Sequence, residues 1–284
     1  GKNKTVTGLI TLLNKYIFTV AENTPIEEDV ALDPELLGNV FENLLGAYLP
    51  ESASTARKAS GSYYTPKEIV SYMVDESLIY YFQTSLNRND EDFLQNLRTL
   101  LSYDTDHNPF QTEPELTKQF IEAIEKIKVL DPACGSGAFP MAILNKLTHL
   151  LHKLDPENKI WKEKLLEKLP PEIRDETEKS LENKSLDYIR KLGLIENCIY
   201  GVDIQTIAIQ ISKLRFFLSL LIEQTIDDTK PNRDIRALPN LETKFVAANA
   251  LLALNKSERG LANNEEVQKL EETLFKIREE LFYA

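Results

Sequence analysis

"VLDPACGSGAFP", residues Val129 to Pro140, runs an apolar stretch into an acid and then into a glycine-rich turn. The residues entering it, "IKVL" (127–130), read as a short buried strand. Those leaving it, "AFPMAILNKLTHLLHKL" (138–154), read as a helix, because Phe139, Ile143, Leu147, Leu150 and Leu154 recur at helical spacing. Gly135 and Gly137 stand where strand gives way to helix. Without a Cβ they accept unusual backbone angles and allow a ligand to come close. The helix N-terminus adds free N–H donors.

The kind of ligand is narrowed by what is absent. A P-loop needs a Lys after its second framing glycine, and none follows Gly137. The dinucleotide fingerprint needs a third glycine where this chain has Pro140. Asp131 at the strand tip would also repel a pyrophosphate. It suits a cation, and S-adenosylmethionine carries both an ammonium and a sulfonium. Two glycines alone are equally compatible with a turn that only starts a helix.

Bulk properties set further bounds. The 284 residues are 42% hydrophobic, enough for a real core, and no stretch reads as a membrane span. Two cysteines, Cys134 and Cys198, argue against a disulfide scaffold and fit a reducing cytoplasm. The net charge of −12 disfavours tight phosphate-backbone binding by the whole surface, though a local basic face is compatible with it. His107, His149 and His152 form no metal-ligand spacing with cysteines or acids, and His149 and His152 read as surface helix residues.

Residues 1–60 read as two helices and a polar linker, "PESASTARKASG". In "GSYYTPKEIV" Thr65 can cap a helix that begins at Pro66. Residues 87–126 read as an inserted segment of unknown role. Residues 155–197, rich in Lys and Glu and broken by Pro170-Pro171, read as a solvated helical insertion with Trp161 as a core plug. "CIYGVDI" (198–204) is a second strand ending at Asp203, whose carboxylate could take two ribose hydroxyls or simply cap the helix "QTIAIQISKLRFFLSLLIEQ". "KFVAANALLAL" offers a third strand tip at Asn249. Residues 256–284 begin a further helical insertion, with Val267, Leu270, Leu274, Ile277 and Leu281 on one face.

Four of these strings, in order, resemble motifs of the amino-methylating DNA methyltransferases. "GSYYTP" resembles motif X, Asp131-Pro132-Ala133-Cys134-Gly135-Ser136-Gly137 resembles motif I, "YGVDI" with "KLR…LSL" resembles motif II, and Ala248-Asn249-Ala250-Leu251 resembles motif III with Ala248 where Gly is common. The resemblance is closest to the long single-chain restriction–modification (type IIG-like) and phage-defence methylases that act on adenine N6. It implies a doubly wound, Rossmann-like α/β sheet, present in part, in a core spanning 61–255. It implies S-adenosyl-L-methionine as cofactor. The binding residues it implies are Tyr63, Tyr64, Thr65, Asp131, Ala133, Cys134, Gly135, Gly137, Asp203, Ile204, Asn249 and Ala250. It implies double-stranded DNA as partner of the whole protein, with no metal needed.

The family's catalytic Asn/Asp-Pro-Pro-Tyr/Phe does not occur in these residues; the one Pro-Pro lies in "LPPE" (169–172). The expectation is therefore the amino-terminal part of a methyltransferase domain, with no catalytic residue of its own and inactive alone. A non-catalytic cofactor-binding module, or a methyltransferase for a non-DNA substrate, are the other readings.

Overall fold

A computed structural model describes residues 65–168, 171–181, 184–224, 229, 239–252, 269 and 273. The chain divides into two units, Gly1–Ser62 and Tyr63–Ala284. All described residues belong to the second. The expected helices and linker of residues 1–60, and most of the segment 256–284, lie outside them.

The first described helix, α1 (Lys67–Leu86), starts behind Pro66 and receives no side-chain cap, so Thr65 does not play the capping part expected of it. α1 ends at Asn87, which takes a left-handed conformation that asparagine tolerates. Asp90 then caps α2 (Glu91–Leu101) by accepting from the Phe93 N–H at 2.9 Å. Pro114 opens α3 (Pro114–Lys126), where a missing N–H costs nothing.

This segment, read as an insertion of unknown role, contributes to the core. Phe93, Phe110 and Phe120 are fully buried, and Phe120 meets Phe82 of α1 edge-on with ring centroids 5.2 Å apart. Phe110 lies 5.1 Å from the same ring. Four aromatics thus build a core in which ring contacts add to simple area burial.

The first strand, β1, is Val129–Asp131, shifted from the expected 127–130. Ile127 still belongs to the end of α3, since its N–H bonds the Ala123 carbonyl. After the glycine turn comes α4 (Ala138–Leu154), with the bounds its periodicity predicts. α5 (Lys159–Glu167), α6 (Pro171–Leu181) and α7 (Leu186–Asn197) follow. Asp155 starts α5 by accepting from the Lys159 and Trp161 N–H groups at 3.0 and 2.9 Å.

The expectation of a solvated insertion fails at α7. Tyr188, Ile189, Leu192, Leu194 and Ile195 are all buried. So is Arg190, whose guanidinium donates to the carbonyls of Asp155 and Pro156 and to Asp187. Trp161 is buried, as expected of a core plug, and Gly193 makes room for it: a Cβ there would sit 3.1 Å from the indole.

β2 (Ile199–Asp203), α8 (Thr206–Leu221), a 3₁₀ turn (Leu241–Thr243) and β3 (Phe245–Ala247) complete the described elements. The three strands form one parallel sheet in the order β1-β2-β3. The fold is α/β, with eight helices described beside a small parallel sheet. α4, α7 and α8 all pack on β2. Ile199 and Phe245, on one sheet face, are fully buried. Leu130 and Val246 alternate to the other face and are 60% and 42% exposed.

Candidate functional site at the strand tips

The parallel register brings the carboxyl ends of all three strands together, the end where ligands of such sheets bind. Asp131 pairs with Gly201, and Gly201 with Phe245, so Asp203 on the middle strand lies two residues beyond the end of β1.

Asp203 is the tie between the three tips. Its Oδ2 accepts from the Gly135 N–H at 2.9 Å, and its Oδ1 from the Gln205 N–H at 2.8 Å. Its backbone carbonyl accepts from the Ala248 N–H at 2.9 Å, just past β3. The sequence left two roles open for this carboxylate, helix start and ligand acceptor. α8 receives no side-chain cap, so Asp203 does not cap it: its Oδ1 closes only the turn at Gln205, ahead of the helix. Each oxygen keeps a second lone pair for a hydroxyl.

The glycine turn is held on every side. Cys134 N–H donates to the Val202 carbonyl, and Gly137 N–H to the Cys134 carbonyl. Gly135 and Gly137 take φ of 54° and 87°, where a side chain would be strained. Asp131 Oδ1 accepts from the Ala133 N–H at 3.1 Å. Burial pushes the Asp131 carboxyl above its usual range; the Ala133 bond opposes this and the Asp203 charge adds to it. Two carboxylates beside one another, one of them reluctant to ionise, form a place that a cation would relieve.

Cys134 is buried behind the turn, its thiol pushed up to about 12 by burial and by both aspartates. It packs; it is not a nucleophile. Ala133 is exposed, and Ile204 offers an apolar surface 66% open beside Asp203.

Two further residues, neither given a role by the motif reading, reach the turn from α8. Ser212 of α8 donates to the Gly135 carbonyl at 2.9 Å, and Arg215 donates to the Ser136 carbonyl at 2.9 Å. Both are buried. Arg215 stands in the "KLR" string of the motif II resemblance, whereas Ser212 is one of several polar residues on α8 and nothing local singles it out.

Other expected residues are not joined to this cluster. Asn249 and Ala250 lie beyond β3 and are exposed, and the Asn249 side chain accepts from the Leu251 N–H in its own turn. Thr65 is half-buried ahead of α1. Tyr63 and Tyr64 lie outside the described residues. His149, expected at the surface, is half-buried against Tyr103, with ring centroids 4.5 Å apart. Among the described residues no His, Cys, Asp and Glu cluster has metal-site geometry, and no helix is long and apolar enough to cross a membrane.

The sequence model of the Eco57I restriction-modification methylase family matches residues 197–282, which take in β2, α8 and β3. A putative type II restriction enzyme and methyltransferase of Methanocaldococcus jannaschii is 30% identical over 261 residues, 88% of this chain. The chain is a relative of the restriction–modification methylases. It spans 19% of the length of that archaeal protein. The methylase match covers Asp203, Ser212, Arg215 and Asn249, while the wider alignment accounts for most of the chain.

Proposed function

We infer that this chain supplies the S-adenosyl-L-methionine-binding part of a DNA methyltransferase that acts on adenine N6 in a restriction–modification or phage-defence system. One observation carries the reading: Asp203 at the tip of β2 is hydrogen-bonded to Gly135 of the turn that follows β1. A carboxylate suited to ribose hydroxyls and a turn suited to the methionine end thereby share one edge. The donor set fits the cofactor. Asp131 would face its ammonium, Asp203 its hydroxyls, Ile204 one face of its adenine, and Asn249 with Ala250 the adenine edge. The cofactor, when bound, supplies the activated methyl group.

The strand order within β1–β3 runs one way across the sheet. In a doubly wound sheet it reverses, so we place the reversal at the free edge of β1. DNA is the partner of the whole protein in this reading, and these residues alone bind it weakly, since a charge of −12 leaves little to neutralise phosphates.

The test is isothermal titration of the chain with S-adenosylhomocysteine, the demethylated product. One saturable site supports the reading. Heat no different from ligand dilution, for protein shown to be folded, refutes it.

A further inference from the structure

The second strand–helix unit does more than follow the glycine turn in sequence; it fixes the turn's shape from behind. Ser212 and Arg215 lie on consecutive turns of the buried side of α8. Ser212 Oγ holds the Gly135 carbonyl and an Arg215 Nη1 holds the Ser136 carbonyl, each at 2.9 Å. The helix presses so close that a Cβ added to Gly137 would meet Ser212 Oγ at 2.9 Å. Together with Asp203 on the Gly135 N–H, neighbouring peptide groups of the turn are gripped on both their donor and acceptor sides.

Glycines in a turn give freedom as well as reach. Gly135 and Gly137, both at positive φ, would sample many conformations if the turn were tied only by its own backbone bonds. A turn that wanders binds a ligand only in the fraction of time it has the right shape. Buried carbonyls are also expensive to leave unmet, so donors placed behind them select one arrangement. A guanidinium suits this better than a neutral donor, because a charged hydrogen bond is shorter and stronger.

The geometry points to Arg215 and Ser212 as positioning residues for the cofactor: they touch no part of it, and hold the turn in its binding shape. This rests on the cofactor reading above, and it adds to that reading a specific dependence of motif I on α8.

The experiment compares Arg215→Met, Arg215→Lys, Ser212→Ala and Trp161→Phe in the full chain. Trp161 is buried between α5 and α7, outside the site, so its variant controls for loss of stability alone. Two readouts are taken: the dissociation constant for S-adenosylhomocysteine, and amide hydrogen exchange of residues 134–138 without ligand. Arg215→Met should weaken binding on the order of tenfold and speed exchange in the turn, and Arg215→Lys should restore most of both. Trp161→Phe should lower the melting temperature and leave both readouts unchanged. Ser212→Ala should act in the same direction as Arg215→Met, more weakly, and it decides the matter if Arg215→Met does not fold.

Arg215→Met and Ser212→Ala binding as tightly as wild type overturn the clamp while leaving the cofactor reading intact. So does a loss of affinity matched by Trp161→Phe at equal loss of stability. A wild-type chain that binds no S-adenosylhomocysteine refutes the cofactor reading instead; exchange in the turn then decides the clamp alone, and unchanged exchange in both variants overturns it.

Discussion

The Asp203 carboxylate accepts the backbone N–H of Gly135 at 2.9 Å, across 68 positions of sequence. The residues that separate them fold into α4 to α7, so the bond closes a long excursion at the ligand-binding end of the sheet. Its removal should be felt twice. Asp203→Ala leaves the Gly135 and Gln205 N–H groups without their acceptor, and it takes away the acceptor proposed for the ribose. Affinity for S-adenosylhomocysteine should fall by roughly 1.5–3 kcal/mol, the scale of hydrogen bonds to a charged group. Titration calorimetry on Asp203→Ala and Asp203→Asn checks this, and unchanged affinity in both would remove Asp203 from the site.

Gly201 is a packing test of the same region. A Cβ there would lie 2.7 Å from one ring carbon of Phe245 and 2.9 Å from Cys134 Sγ. Both neighbours are buried, and Phe245 also packs on Phe216 at 4.6 Å, so neither can retreat easily. Gly201→Ala should cost about 1–3 kcal/mol, as overpacking usually does. Urea unfolding measures it. A variant as stable as wild type would mean that β2 and β3 part more easily than their packing implies.

Much of this was legible in the sequence, for reasons of local chemistry. The bounds of α4 follow from apolar spacing, and the tips at Asp131 and Asp203 follow from strand runs that end in acids. The misreading of the second insertion has a plain cause. Residues 155–197 are rich in Lys and Glu, and charge suggests solvent, yet Tyr188 and Arg190 of α7 are buried. Composition averages over a segment, whereas burial is decided by one face of a helix. Arg190 also shows that a buried charge is tolerated when backbone carbonyls surround it. The Ser212 and Arg215 contacts were out of reach for another reason: they join positions about 77 to 79 residues apart, and no local pattern encodes such a pairing.

His149 gives the stability of the chain a pH dependence. Its Nε2 bonds the Ser102 carbonyl at 2.9 Å, so that nitrogen carries the hydrogen. Burial holds the imidazole below its ordinary value of 6.5; the Ser102 bond opposes this, and the Lys153 and Lys146 charges add to it. The neutral form is the one that folding favours. The stabilisation is therefore full above 6.5 and is lost as pH falls through the lowered folded value. Melting temperatures from pH 8 to 5 should show a decline at the acid end that His149→Gln reduces. An identical decline in the variant would assign it to other groups.

Asp131 gives ligand affinity a pH dependence of its own. Burial raises the Asp131 carboxyl, so the folded chain without ligand holds its proton to higher pH than the unfolded chain does. Stability from this group is present below 3.8 and lost as pH rises through the raised folded value. A bound ammonium needs the carboxylate, so binding expels a proton from the protonated fraction. Affinity for S-adenosylhomocysteine should fall as pH drops through the raised value, and Asp131→Asn should flatten that profile. Titrations in buffers of different ionisation heat measure the released proton directly. No proton release at any pH in that range would place the ammonium elsewhere.

The last prediction is that these 284 residues bind the cofactor and transfer no methyl group to DNA. The adenine amine is a poor nucleophile, because its lone pair is delocalised into the ring. Transfer needs acceptors that draw off its hydrogens, and it needs the nitrogen placed in line with the methyl carbon. The base must also leave the duplex to reach the cofactor. The family's Asn/Asp-Pro-Pro-Tyr/Phe does this work, and no such string stands between Gly1 and Ala284. Among the described residues, nothing at the strand tips replaces it. In this reading the lone pairs that Asp131 and Asp203 keep beyond the Ala133, Gly135 and Gln205 N–H groups are taken up by the cofactor, and the Cys134 thiol is buried. Bound cofactor without an oriented amine leaves the reaction at its uncatalysed rate. The measurement is methyl transfer from labelled S-adenosylmethionine to mixed-sequence DNA, with cofactor binding confirmed in the same preparation. No label in the DNA is expected. Label on adenine N6 would show that a positioning group exists among these residues, and would overturn the assignment of this chain as a cofactor-binding part alone.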